Sequence, residues 1–297
     1  MNTVQTQARI EIKNVLFPTD FSQAGEAAIP FASEIVRRFG AKLHVLHVRP
    51  PVVNPMTEPA TWPVLENAAR AEAEAQRQAM AAAFPGLKPE VMIVEGNFWQ
   101  NLKTAIEKDR IDVIVLGTRG RSGAAKFFLG SKAEEIFREA PCAVLTVGPN
   151  VRPAAPRGGE FTEILYATDF SPASASAAMH AISLAQEFQA HLTLLHVISQ
   201  EKPGELVNVA ELAGSAGRLL RKLVPPEAEI WCAPHFAVEH GAVADSILRV
   251  ANERKADLIV LGVRRPSGFP GAATHLPMAT AHKIVTHAAC PLLTIRG

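Results

Sequence analysis

Residues 117–131 read Gly-Thr-Arg-Gly-Arg-Ser-Gly-Ala-Ala-Lys-Phe-Phe-Leu-Gly-Ser, a stretch whose residue types and spacing suit the binding of an anion. Gly117, Gly120 and Gly130 carry no Cβ, so the backbone there can take positive φ and approach a ligand closely. Ser131 adds a hydroxyl donor, and Arg119 and Arg121 add positive charge. The run Asp112–Leu116 before the loop is apolar, and Lys132–Phe137 after it has helical spacing of apolar residues, so the pattern is strand, loop, helix start. Unpaired N–H groups at a helix start point toward an anion, which makes a polyphosphate the ligand that this chemistry fits. Glycine-rich connections are common in α/β domains, so the glycines alone decide nothing. The spacing is more specific: Gly117, two residues, Gly120, nine residues, then Gly130-Ser131. It is neither the GxGxxG of dinucleotide folds nor a Walker A loop, because no Gly-Lys-Ser/Thr closes it.

Other residues able to do chemistry are sparse. Asp20 ends the first apolar run, Asn14–Thr19, where it can face a ligand, but Asp-x-Ser also suits a helix N-cap, and both readings stay open. Of the ten histidines, His44 and His47 lie three apart on a strand and face opposite ways, as do His191 and His196 at a separation of five. His282 and His287 do not have the spacing of a zinc helix, so the histidines read as packing or surface residues. No GxSxG elbow surrounds a serine, and Cys142 and Cys290 read as small apolar residues at strand starts. No catalytic constellation emerges.

The elements that would position the loop follow from hydrophobic periodicity. Strands are expected at Asn14–Thr19, Lys42–Val48, Glu90–Val94, Asp112–Leu116 and Cys142–Val147, alternating with helices at Gln23–Phe39, Leu65–Phe84 and Phe98–Lys108 and a helix after Ser131. Asn150–Glu160 concentrates proline and glycine and marks a linker. The chain then repeats. Thr19, Asp20, Phe21 and Ser22 return 149 positions later as Thr168, Asp169, Phe170 and Ser171, and Leu46, His47 and Val48 as Leu195, His196 and Val197. Gly96 and Gly117 return 145 positions later as Gly241 and Gly262, and Cys142 returns after 148 as Cys290. Two domains are expected, residues 1–149 and 161–297, with 150–160 between them, and 297 residues suit two cores of about 150.

The glycine spacing, with the repeated Thr-Asp-Phe-Ser after the first strand, resembles the ATP-binding signature of the universal stress protein family, and the resemblance covers almost the whole chain as two copies. It implies an α/β fold of two flavodoxin-like domains, each a five-stranded parallel sheet of order 3-2-1-4-5 flanked by helices. It implies that Asp20 and the backbone at Val48 hold the adenosine of an ATP, with Pro18 and Thr19 beside the base. Gly117, Arg119, Gly120, Gly130 and Ser131 would hold the phosphates, with magnesium accompanying the triphosphate. In the second loop Arg265 stands at the position of Gly120, and the Gly-Ser pair is replaced near Pro277-Met278-Ala279. A side chain and a proline remove close backbone approach and a donor, so ATP is expected in the first domain only. Domains of the family pair through their fifth strands, which implies an intrachain pseudo-dimer joined there; pairing of whole chains stays open.

Composition bounds the rest. A net charge of +1, from 30 Lys and Arg against 29 Asp and Glu, comes with no basic block and gives no reason to expect a nucleic-acid partner. No apolar run approaches the roughly 20 residues of a membrane span. The first ten residues lack a signal core, and Cys142, Cys232 and Cys290 have no metal spacing, so a cytoplasmic protein is expected. The functions consistent with this are a nucleotide-dependent stress-response or signalling module with an unknown protein partner, a slow ATPase or phosphotransferase, and a scaffold that binds no nucleotide.

Overall fold

A computed structural model describes residues 10–50, 62–118, 130–151, 160–199, 209–226, 228, 232–263 and 275–297. The first half runs β1 (Asn14–Pro18), α1 (Gln23–Glu26), α2 (Ile29–Phe39), β2 (Lys42–Arg49), α3 (Trp62–Ala83), β3 (Glu90–Glu95), α4 (Phe98–Lys108), β4 (Val113–Gly117), α5 (Ser131–Glu139) and β5 (Ala143–Val147). The second half runs β6 (Glu163–Thr168), α6 (Pro172–Phe188), β7 (His191–Ile198), α7 (Val209–Leu223), β8 (His235–His240), α8 (Val243–Glu253), β9 (Leu258–Val263), α9 (His275–His287) and β10 (Leu292–Arg296). The central strands are short continuous apolar runs buried on both faces, as a parallel sheet covered by helices requires.

Local signals set most boundaries. Gly40 ends α2 at φ 62° with its N–H on the Val36 carbonyl, and Asn97 caps α4 by accepting from the Gln100 N–H. The helix expected over 23–39 is two helices. Pro30, in the first turn of α2, cannot donate a backbone hydrogen bond, so it starts a new helix rather than continuing the old one. Met179 stands at the matching position of the second half, and there α6 runs unbroken.

The strand order is β3-β2-β1-β4-β5-β10-β9-β6-β7-β8, so each half has the order 3-2-1-4-5 and the two sheets form one ten-stranded sheet. Pairing within each half is parallel, while β5 and β10 pair antiparallel with Leu145 opposite Leu293, its own counterpart in the repeat. A pseudo-twofold axis therefore passes through that pair. At the amino ends of the strands, the Asp112 carboxylate accepts from the Lys13 and Asn14 N–H groups, and Asp257 accepts likewise from Thr162 and Glu163. These staples pin β1 to β4 and β6 to β9. On one face of the sheet a single hydrophobic cluster spans both halves, with Phe161 packed between Phe31 and Phe188 at ring centroid distances of 6.3 and 5.0 Å. Among the described residues no helix is long and apolar enough to cross a membrane.

Candidate functional site

The order reverses between β1 and β4 in the first half and between β6 and β9 in the second, which opens a crevice at the carboxyl ends of those strands. The turn after β1 is held by its own side chains. Thr19 Oγ1 accepts from the Phe21 N–H at 3.0 Å, Asp20 Oδ1 accepts from the Ser22 N–H at 3.0 Å, and Ser22 Oγ accepts from the Gly25 N–H at 3.1 Å. Ser22 thus does the capping, which places Asp20 in the turn ahead of the helix instead of at its cap. The second half copies this with Thr168, Asp169 and Ser171. Both turns force a phenylalanine to positive φ, 57° at Phe21 and 60° at Phe170.

Pro18, Thr19, Asp20, Val48, Gly117, Gly130 and Ser131 all line one cleft of about 310 Å³ in the first half. Arg119, Gly120 and Arg121 lie outside the described residues, as do Arg264, Arg265 and the rest of the second glycine loop. Gly130 is the N-cap of α5 and supplies no side chain to its orphan N–H groups, so the positive end of that helix opens on the cleft. Lys132 joins the lining, its ammonium 4.9 Å above the Phe98 ring. A carboxylate at one end and an uncapped helix start with a lysine at the other suit a ligand with hydroxyls at one end and phosphates at the other. Gly25 keeps this geometry open. A Cβ there would lie 3.6 Å from Asp20 Oδ1 and narrow the space beside the carboxylate.

Some of the lining was not legible in the sequence. His47 is expected to be a packing or surface residue, yet it lines the cleft, with Nδ1 2.8 Å from the Thr19 carbonyl and its ring 4.6 Å from that of Phe21. His196 repeats both contacts with Thr168 and Phe170. The signal available was the recurrence of this histidine at the same offset as Asp20. Cys142 precedes β5 rather than opening it; burial pushes its thiol up to about 12, so it stays protonated and inert near neutral pH.

Four features mark the second cleft, about 530 Å³. Ser174 stands where the first half has Gly25, and its hydroxyl donates to Asp169 Oδ1. Tyr166, in place of Phe17, donates its hydroxyl to the Ser174 carbonyl at 2.7 Å and fixes that helix start; burial pushes the phenol up to about 12. Gly262 packs against the first turn of α6, where a Cβ would overlap the Ala173 carbonyl. Finally, α9 (His275–His287) already includes the four residues ahead of Ala279, the counterpart of Ser131. The helix start therefore lies at least roughly 6 Å from that position, at 1.5 Å per residue.

Comparisons with known proteins agree with this architecture. The family model described as the universal stress protein family matches the chain twice, over residues 11–148 and 160–296. A universal stress protein from Mycolicibacterium smegmatis is 25% identical over an alignment of 309 positions, covering 95% of this chain and 96% of its own length. One from Thermus aquaticus is 31% identical over 136 residues, which is 98% of that protein and 46% of this chain, so one half here corresponds to a whole protein there. Among solved structures, a universal stress protein from Archaeoglobus fulgidus shares the fold with a TM-score of 0.70 at 19% identity, covering 97% of this chain and 99% of its own. The chain belongs to the universal stress protein family and carries that family's fold twice, joined head to tail.

Proposed function

We propose that the chain is a cytoplasmic, ATP-binding stress-response or signalling module with one nucleotide site, in its first half. The observation that supports this is the convergence of Asp20, Gly25, Val48, Gly117 and Gly130-Ser131 on one cleft whose phosphate end is an uncapped helix start beside Lys132. Asp20 would accept from the ribose hydroxyls and the backbone at Val48 would face the base, with Pro18 and Thr19 alongside. Gly117, Arg119, Gly120, Gly130 and Ser131 would hold the phosphates, magnesium neutralising part of the triphosphate charge. The second half, with Asp169 engaged by Ser174 and its helix start displaced, would serve as pairing partner and not as a second ATP site. Nucleotide binding would act on a protein partner, or on pairing of whole chains, by favouring one conformation only as far as its affinities for the two states differ.

Mass spectrometry of the small molecules released from denatured protein, after incubation with ATP and magnesium, tests the proposal. The expected result is about one ATP per chain, lost on Gly130→Val, with negligible phosphate release. Two per chain would overturn the single-site assignment. Phosphate release abolished by Gly120→Val would replace the module with a slow ATPase or phosphotransferase, and neither binding nor turnover would leave a scaffold.

A further inference from the structure

We infer that the second half holds a separate site for an uncharged, largely apolar small molecule. The cleft at the ends of β6 and β9 has about 530 Å³, a size that encloses a ligand of drug-like dimensions. One wall is α7, which presents Leu212, Ser215, Ala216 and Leu219. Steps of three, four and seven residues put these on one helical face. Among the described residues, α3 contributes nothing to the cleft of the first half.

The leucines are not there for the fold. Phe84 and Val224, each buried and followed by proline, close α3 and α7 and set the register between them. In that register Met80 matches Leu220, and both are buried in the core. Leu212 and Leu219, however, match Glu72 and Ala79. The core thus takes the same helical position in both halves, while the second half alone adds two large apolar side chains, 39% and 44% exposed, over a cleft. Apolar side chains left open on a concave surface mark a ligand site far more than scattered ones on a convex surface do. Val243 and Ile247 of α8 and Leu261 and Val263 of β9 line the same cleft.

The polar chemistry of the described lining suits a neutral ligand. The described lining residues include no lysine or arginine. Asp169 accepts from the Ser171 N–H and the Ser174 hydroxyl, and His196 uses Nδ1 on the Thr168 carbonyl with its ring stacked on Phe170. An anionic group would lose hydration without meeting a lysine or arginine among the described lining residues, whereas the hydroxyls of Ser199 and Thr280, and that of Ser215, which accepts from Arg218 at 2.8 Å, can satisfy one polar group of a neutral ligand.

The test uses the full chain and N-phenyl-1-naphthylamine, an uncharged aromatic dye that fluoresces in apolar surroundings. One saturable site per chain is expected, undisturbed by saturating ATP and magnesium and weakened at least tenfold by Leu212→Glu and by Leu219→Glu. Both side chains are part exposed, so the unfolding midpoint should stay near that of the parent. Ala79→Glu, the matching change in the first half, should leave dye binding as it was. Absence of saturable uptake would overturn the proposal, as would uptake indifferent to both leucine substitutions. Displacement of the dye by ATP would also overturn it, making the cleft a second nucleotide pocket.

Discussion

At the scale of the residue, the two halves part at positions 25 and 174. The same Thr-Asp-Phe-Ser turn, with the same hydrogen bonds and the same phenylalanine at positive φ, stands after β1 and after β6. A non-glycine residue held there costs on the order of 1 kcal/mol or more, so the turn persists because the side-chain bonds and the histidine packed on the phenylalanine ring fix it. Only beyond the turn does the chemistry differ, with Gly25 leaving space beside Asp20 and Ser174 filling it with a hydroxyl on Asp169. Gly25→Ser should therefore carry the second half's arrangement into the first. A Cβ at position 25 meets Ser22 Oγ at 3.4 Å, an ordinary contact, so the fold should survive. The new hydroxyl would compete with ribose for Asp20, and titration calorimetry should show ATP affinity reduced about tenfold, or roughly 1.4 kcal/mol. Unchanged affinity would show that Asp20 does not hold the nucleotide. The sequence displayed Asp20 plainly, since it recurs, but it hid Gly25, whose importance lies in a side chain it lacks.

At the scale of the element, α5 links the cleft to the other half of the chain. Its start lies at the cleft, and its last turn is capped from the second half: Arg296 donates from Nε to the Ala140 carbonyl at 2.7 Å and from Nη2 to the Phe137 carbonyl at 2.8 Å. A cation at a helix C-terminus also complements the helix dipole. The first half returns a contact at the end of α9, where Asn150 donates to the Thr286 carbonyl at 2.8 Å and a Cβ on Gly148 would collide with the Val285 carbonyl. Each half thus closes the last helix of the other. Arg296→Ala removes two charge-assisted bonds and should lower stability by about 1.5–3 kcal/mol, read from urea unfolding. Arg296→Lys should recover only part of that, because an ammonium lacks the planar fork that reaches both carbonyls. No sequence periodicity announced this clamp, since the partners of Arg296 lie 156 and 159 residues away.

At the scale of the whole molecule, the repeat allows each half to cover the open edge of the other. The fifth strand of a single half, Ala143–Val147, is apolar but for Thr146, is buried along its length and pairs with β10 at Val144, Leu145 and Thr146. Left alone, such an edge is a template for pairing with another chain. A fragment of residues 1–149 is therefore expected to dimerise through β5, and light scattering after size exclusion should give twice the fragment mass, while charge introduced by Val144→Lys should shift it to monomer. A fragment that is monomeric without that substitution would mean that the edge needs no partner.

The sequence by itself determined the order of strands and helices, the two-fold repetition, and the part of the first cleft's lining made by Pro18, Thr19, Asp20, Val48, Gly117, Gly130 and Ser131. These follow from local periodicity, from turn residues with narrow backbone demands, and from repetition at a constant offset, all of which are written along the chain. It misplaced helix boundaries near prolines: Pro30 divides the helix expected over 23–39, and α3 already includes Trp62, Pro63 and Val64 ahead of the expected Leu65. Tertiary structure alone decided which side chains the clefts recruit from elsewhere: His47, the Phe98–Lys132 pair, and the leucines of α7. It alone decided that Ser174 engages Asp169 and that Arg296 caps α5. The physical reason is that these contacts join residues brought together by strand pairing and helix packing, and their strength depends on distances and burial that no sequence spacing specifies.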